Sequence, residues 1–156
     1  MPVEGIESLA ALARDLKAAG DKGLTKELRS GLQRSTRPLK AAAKAGALEH
    51  LPNSGGLAEE VAASRFTTRA NLLGRNPSVK LVAAGRQNAE GRKHDLDAMD
   101  RGRLRHPLYG RRKARWYTQL VRPGWFTESL QHAAPAVRSE LDKAVAAVIA
   151  KLGRPG

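Results

Sequence analysis

The sequence predicts an α+β protein: a small antiparallel sheet of about four strands, flanked by two N-terminal helices and a C-terminal helix. Apolar residues recur at helical spacing before residue 48 and again after residue 125. Between these segments, residues 63–121 contain short runs rich in β-branched and aromatic side chains, separated by turn residues. The length of 156 residues suits one domain covering residues 1–156.

Residues 1–48 are expected to form the two N-terminal helices. Leu9, Leu12 and Leu16 belong to an apolar stripe that predicts a first helix over residues 3–22. A second line of leucines predicts a longer helix from about residue 25 to about residue 46. Pro38 lies inside that pattern, so we expect a kink near Arg34, because proline removes a backbone donor and clashes with the preceding turn.

Residues 63–121 are expected to hold the antiparallel sheet. Residues 63–72 alternate weakly between polar and apolar side chains, and residues 78–84 form a short apolar run. Together they predict a hairpin around the turn at residues 74–77. Residues 86–103 are polar, with mixed charges, and predict a long exposed basic loop. A third strand is expected within residues 99–104 and the last within residues 116–121.

The C-terminal helix is predicted over residues 125–153. Thr127 is a suitable N-cap, because its hydroxyl accepts from backbone N–H groups in the first turn. Pro135 is expected to kink or restart the helix. Beyond it, a stripe of Val, Leu and Ile side chains would cover one face of the sheet.

The few aromatic side chains mark the expected core. The chain has two Trp, two Tyr and two Phe, and five of these six fall between residues 104 and 126. Aromatic residues bury the most apolar area, so a chain with so few of them is expected to pack around their cluster. The expected core anchors are Phe66, Trp116, Trp125 and Phe126.

The charge predicts an acidic partner. The formal net charge is +13, which favours contact with nucleic acid, an acidic protein or a membrane surface, although a generally Arg-rich composition would give the same balance. Arg111, Arg112, Lys113 and Arg115 lie next to Trp116 and Tyr117 and resemble the basic and aromatic surfaces that bind single strands. We expect buried rings and outward cations, with non-specific phosphate contact and no base readout.

No catalytic, cofactor-binding or metal-binding residues are predicted. The chain has no Cys, and His94 beside Asp95 and Asp97 lacks a second ligand pair. His106 with Arg103 and Arg105 is the one constellation to test for nuclease chemistry, although a turn explains His106 as well. No apolar run approaches the roughly 20 residues of a membrane span, so no membrane partner is expected.

Two motifs occur in a fixed place within this order of elements. One is L-P-x-S-G-G-L at residues 51–57; the other combines H-P-x-x-G, a Trp and Q-x-V-x-P-G-W-F over residues 106–126. Together with the predicted elements, they resemble the neck (tail-completion) protein family of long-tailed bacteriophages. The residues that carry the resemblance are Leu51, Pro52, Ser54, Gly55, Gly56, Leu57, His106, Pro107, Gly110, Trp116, Gln119, Pro123, Gly124 and Phe126.

The resemblance implies a structural virion protein without enzymatic activity. Such proteins form rings, usually hexameric, that join the portal-side connector to the tail tube and let DNA pass. The implied partners are sister copies, connector and tail-tube proteins, and duplex DNA in the lumen; the implied location is the virion neck, assembled in the bacterial cytoplasm. The residues expected to face the lumen or a neighbouring subunit are Arg92, Lys93, Arg101, Arg103, Arg105, Arg111, Arg112, Lys113 and Arg115.

Two alternatives stay open at this point. A tail terminator that caps the tail tube needs the same small ring-forming domain. A basic nucleic-acid-binding or nuclease domain that acts as a monomer would share the charge but not the assembly, and its DNA binding would fall with salt.

Overall fold

The computed structural model describes residues 4–71, 78–85, 93–107 and 115–153. Within these ranges the chain forms six α-helices and four β-strands, so the α+β class is confirmed. The helices are α1 (Glu4–Ala18), α2 (Lys22–Ser35), α3 (Arg37–His50), α4 (Leu57–Ala62), α5 (Leu96–Asp100) and α6 (Thr127–Leu152). The strands are β1 (Arg65–Asn71), β2 (Ser78–Ala84), β3 (Arg103–Pro107) and β4 (Trp116–Leu120).

The long second helix expected from the sequence is two helices. Helix α2 begins after its N-cap residue, Asp21, whose carboxylate accepts from the Leu24 backbone N–H at 2.9 Å. It ends at Ser35, and α3 starts again at Arg37. Pro38 is therefore in the first turn of α3, where a missing N–H costs no intrahelical bond, and the predicted kink becomes a break at Thr36.

The described strands form two separate two-stranded sheets, β1 with β2 and β3 with β4, instead of the single four-stranded sheet that was expected. Strand β2 has the predicted bounds. Residues 96–100, predicted as part of the loop and of a third strand, form α5 instead. Asp95 caps this helix by accepting from the Ala98 N–H at 3.0 Å, and Met99 is buried, so β3 starts only at Arg103.

The described residues divide into two compact units, each built from segments that are distant in sequence. The first unit comprises the described parts of Met1–Pro38, Thr68–Val82 and Ala134–Gly156. Its core joins α1, α2 and α6 through Leu16, Leu32 and Val148, each at most 1% exposed. At the surface, Lys151 Nζ lies 2.6 Å from a Glu27 carboxylate oxygen.

The second unit comprises Leu39–Thr67 and the described parts of Ala83–Ala133. Its buried side chains include Leu51, Val61, Phe66, Met99 and Trp125. A Cβ at Gly46 would collide with the Ser129 side chain and with the Trp125 carbonyl oxygen, so α3 approaches the start of α6 closely within this unit.

Helix α6 runs as one helix over 26 residues and contains Pro135. The helix therefore does not restart at Pro135, which was one of the two expected outcomes. It begins at Thr127, two residues after the predicted bound, so Thr127 is its first residue and not its N-cap.

Candidate functional site

The antiparallel β3–β4 hairpin belongs to the second unit and is the most exposed regular structure there. Its register runs from Arg103 opposite Leu120 to Pro107 opposite Trp116. All five side chains of β4 are exposed. Burial of at least one face is what normally stabilises a strand pair, because an isolated hairpin is marginal in water. The exposed β4 is therefore a candidate contact surface.

One face of the hairpin combines cations with apolar side chains. Side chains opposite each other or two positions apart share a face, so the register places Arg103, Arg105, Trp116 and Leu120 together. We call these four residues the hairpin face. Leu120 is 81% exposed and Trp116 is 44% exposed. The Arg105 guanidinium lies 5.5 Å from the centroid of the Trp116 ring, within cation–π range.

The hairpin supplies two of the predicted contact cations, and three more lie elsewhere in the second unit. Lys93, Arg101, Arg103, Arg105 and Arg115 are all exposed. Arg101 forms an ion pair with Asp97 at 2.7 Å. Among the described residues, no carboxylate pairs with the other arginines of this group. The remaining predicted residues, Arg92, Arg111, Arg112 and Lys113, lie outside the described ranges.

The predicted core anchors do not all lie in the core. Trp125 is 1% exposed, its indole N–H donates to the Leu96 carbonyl at 3.2 Å, and its ring centroid lies 5.3 Å from that of Phe126. Phe66 is buried and Phe126 is half-buried. The prediction that Trp116 is a core residue is wrong, because this strand is exposed on both of its faces.

The base of the hairpin is fixed by a residue that the sequence analysis missed. The Asp100 carboxylate accepts from the backbone N–H groups of Phe126 and Thr127 at 2.8 and 3.1 Å, at the start of α6. Its carbonyl also accepts from the Gly124 N–H at 2.8 Å. Asp100 thereby ties α5 to the turn that follows β4. No local pattern reveals a cap supplied from 26 residues away.

A buried histidine holds the same turn. His50 is 8% exposed, and its Nδ1 donates to the Pro123 carbonyl at 3.1 Å, since a carbonyl can only accept. Gly102 and Gly124 have φ angles of +83° and +82°. This left-handed conformation strains residues with a Cβ, so the glycines allow the two tight bends that flank the hairpin.

The residues considered for nuclease chemistry do not converge. Since neighbouring side chains on a strand point to opposite faces, His106 lies on the face opposite to Arg103 and Arg105. The other candidate histidine, His94, hydrogen-bonds through Nε2 to the Glu60 carboxylate at 2.7 Å near the surface. Within the described part of the chain, no three His, Asp or Glu side chains are grouped as a metal site would need.

Two further findings concern the whole described chain. None of its described helices combines the length and the apolar character that crossing a membrane requires. Comparison with protein-family models, with curated proteins and with solved structures finds no match. What the chain does is therefore inferred from the hairpin face and from the sequence motifs.

Proposed function

We propose that this chain is a structural virion protein of a long-tailed bacteriophage that assembles into a ring at the head–tail junction. The observation that carries the proposal is the hairpin face, on which exposed apolar side chains lie beside cations. Leu120 exposes 81% of its surface on a regular strand. Burying such a side chain in an interface contributes about 1.5–3 kcal/mol, so this burial would favour self-association.

The motifs that resemble neck proteins form turns and packing contacts. In the first motif, Leu51 and Leu57 are buried, and Gly55 and Gly56 have φ angles of +72° and +76°. In the second, Trp125 is buried after the turn at Gly124. Residues with these roles maintain a shape, which supports an architectural function.

The charge supports a location around duplex DNA. A ring whose lumen is positive attracts the phosphate backbone without reading bases, and such contact needs neither a recognition helix nor a metal. Lys93 and Arg115, which lie outside the hairpin face, supply exposed cations that have no carboxylate partner among the described residues. The proposed partners are sister copies in a hexameric ring, connector and tail-tube proteins, and the DNA that passes through. A tail terminator at the end of the tube would use the same features.

One observation favours a second candidate, a monomeric nucleic-acid-binding domain. The exposed Trp116 ring with Arg105 above it resembles a surface on which a base stacks while a cation contacts phosphate. This candidate predicts tight binding of DNA by single chains, whereas the ring predicts weak, non-specific contact that depends on assembly.

Negative-stain electron microscopy and fluorescence anisotropy distinguish the candidates. The proposal predicts closed rings with a central opening wide enough for duplex DNA. It also predicts that duplex binding is independent of sequence and falls steeply between about 50 mM and about 200 mM salt. Single particles without an opening, together with tight binding of short single strands by a monomer, would reject the ring and favour the second candidate.

A further inference from the structure

An acidic edge lies in the same unit as the hairpin. Glu59 and Glu60 are exposed on α4, and Asp95 and Asp97 are exposed at the start of α5. The 2.7 Å hydrogen bond between Glu60 and His94 holds these two segments together. We call these four carboxylates the acidic edge.

The acidic edge keeps a net negative charge after its contacts with other described residues are taken into account. Asp97 is paired with Arg101, and Asp95 accepts from the Ala98 backbone N–H, which leaves its charge in place. Glu59 pairs with no cation among the described residues. On the hairpin face, Arg103 and Arg105 likewise have no carboxylate partner in the described part of the chain. Each surface thus carries charge that the other could neutralise.

We infer that the hairpin face of one copy docks on the acidic edge of the next copy in the ring. This inference rests on the proposed function and names the contact that would build the ring. A contact between two hairpin faces would bring arginines against arginines, and like charges at an interface are costly. Joining two different surfaces head to tail avoids this repulsion and is the geometry that closes rings.

The apolar members of the hairpin face suit the same contact. Interfaces combine a desolvated apolar or aromatic centre with charges that set register and partner. Leu120 and Trp116 would supply the apolar part, while Arg103 and Arg105 orient the incoming edge. A nucleic acid would satisfy the arginines but would leave Leu120, 81% exposed, without an apolar partner.

Charge reversal on each surface, alone and combined, tests the inference. Arg103→Glu with Arg105→Glu should shift the light-scattering mass from the assembled species to the single chain of 16.8 kDa. Glu59→Arg with Glu60→Arg should do the same. A chain that carries all four substitutions restores complementary charges between neighbours, so it should assemble again.

Matched controls separate a lost contact from a changed net charge. Arg29→Glu with Arg138→Glu, and Asp15→Arg with Asp142→Arg, alter exposed helix residues by the same total charge and should leave the mass of the assembly unchanged. Circular dichroism checks that each variant is folded. If the folded reversal variants assemble like the wild type, or if the fourfold variant stays monomeric, the proposed contact between the hairpin face and the acidic edge is wrong. The proposal that the chain forms a ring would still stand. A monomeric wild type overturns both.

Discussion

The Asp100 carboxylate accepts the Phe126 backbone N–H at 2.8 Å and so caps helix α6 from 26 residues earlier in the chain than Phe126. The same residue accepts from the Gly124 N–H through its carbonyl. One short helix therefore fixes the bend that follows the exposed hairpin. These bonds fix the base of the hairpin. A docking surface that is already ordered loses little conformational entropy when its partner binds.

Asp100→Ala should lower the free energy of unfolding by about 1–2 kcal/mol, because the first amides of α6 lose their acceptor and the helix N-terminus loses a negative charge. Urea denaturation followed by circular dichroism measures the loss. Asp142→Ala, at an exposed position of the same helix, should change stability by no more than about 0.5 kcal/mol. Equal losses in the two variants would show that the capping bonds contribute nothing.

The two tryptophans should respond differently to substitution. Trp125→Ala should cost about 3–5 kcal/mol, because it removes a fully buried ring. Trp116→Ala should cost about 1 kcal/mol or less in the single chain, because the ring is 44% exposed. In single chains, obtained by adding Leu120→Ser to both variants, acrylamide should quench the fluorescence of the Trp125→Phe variant, which keeps Trp116, more strongly than that of the Trp116→Phe variant. The reverse order would contradict the exposed β4.

Gly46→Ala should destabilise the protein although alanine is the better helix former. A methyl group at this position meets the Ser129 side chain and the Trp125 carbonyl oxygen. Forcing extra volume into a close contact typically costs about 1–3 kcal/mol, which outweighs the gain of about 1 kcal/mol in helix propensity. Gly23→Ala, where the nearest atom lies 3.4 Å away, should be neutral or stabilising. A stabilised Gly46→Ala variant would contradict the close approach of α3 to the start of α6.

Arg115→Ala should reduce the dependence of duplex binding on salt, because this exposed arginine lies outside the hairpin face and is available to contact phosphate in the lumen. Removing one such contact lowers the slope of log affinity against log salt by about 1. Arg101 already pairs with Asp97 at 2.7 Å, so Arg101→Ala should change the slope less. Anisotropy titrations at several salt concentrations measure both slopes. Identical slopes for wild type and Arg115→Ala would exclude this arginine from DNA contact.

Sequence patterns predicted most elements because their signals are local. Strand β2 agrees with the expected position, since a short apolar run suffices to mark it, and α6 begins two residues after the predicted bound of 125. Helix α5 was missed because one turn of helix shows little periodicity, although Asp95 followed by Leu96 and Met99 is a visible signal. The division into two sheets depends on which strands pair, and no local pattern records that.

The candidate site was predicted in part. The arginines of β3 were identified from charge, but Trp116 was assigned to the core because a rare large ring is normally buried. Whether a ring on a strand is covered depends on what packs over that strand, and nothing near Trp116 in sequence reveals it. Leu120, which is 81% exposed, was missed for the same reason.

Light scattering coupled to size-exclusion chromatography tests most directly whether the hairpin face is an assembly surface. The wild type should have a mass several times 16.8 kDa, and Leu120→Ser should elute as a folded single chain. Leu48→Ser, at a leucine of α3 that is 48% exposed, serves as the control and should assemble like the wild type. A Leu120→Ser variant that keeps the full wild-type mass, or a wild type that stays a single chain at every concentration, would contradict the account.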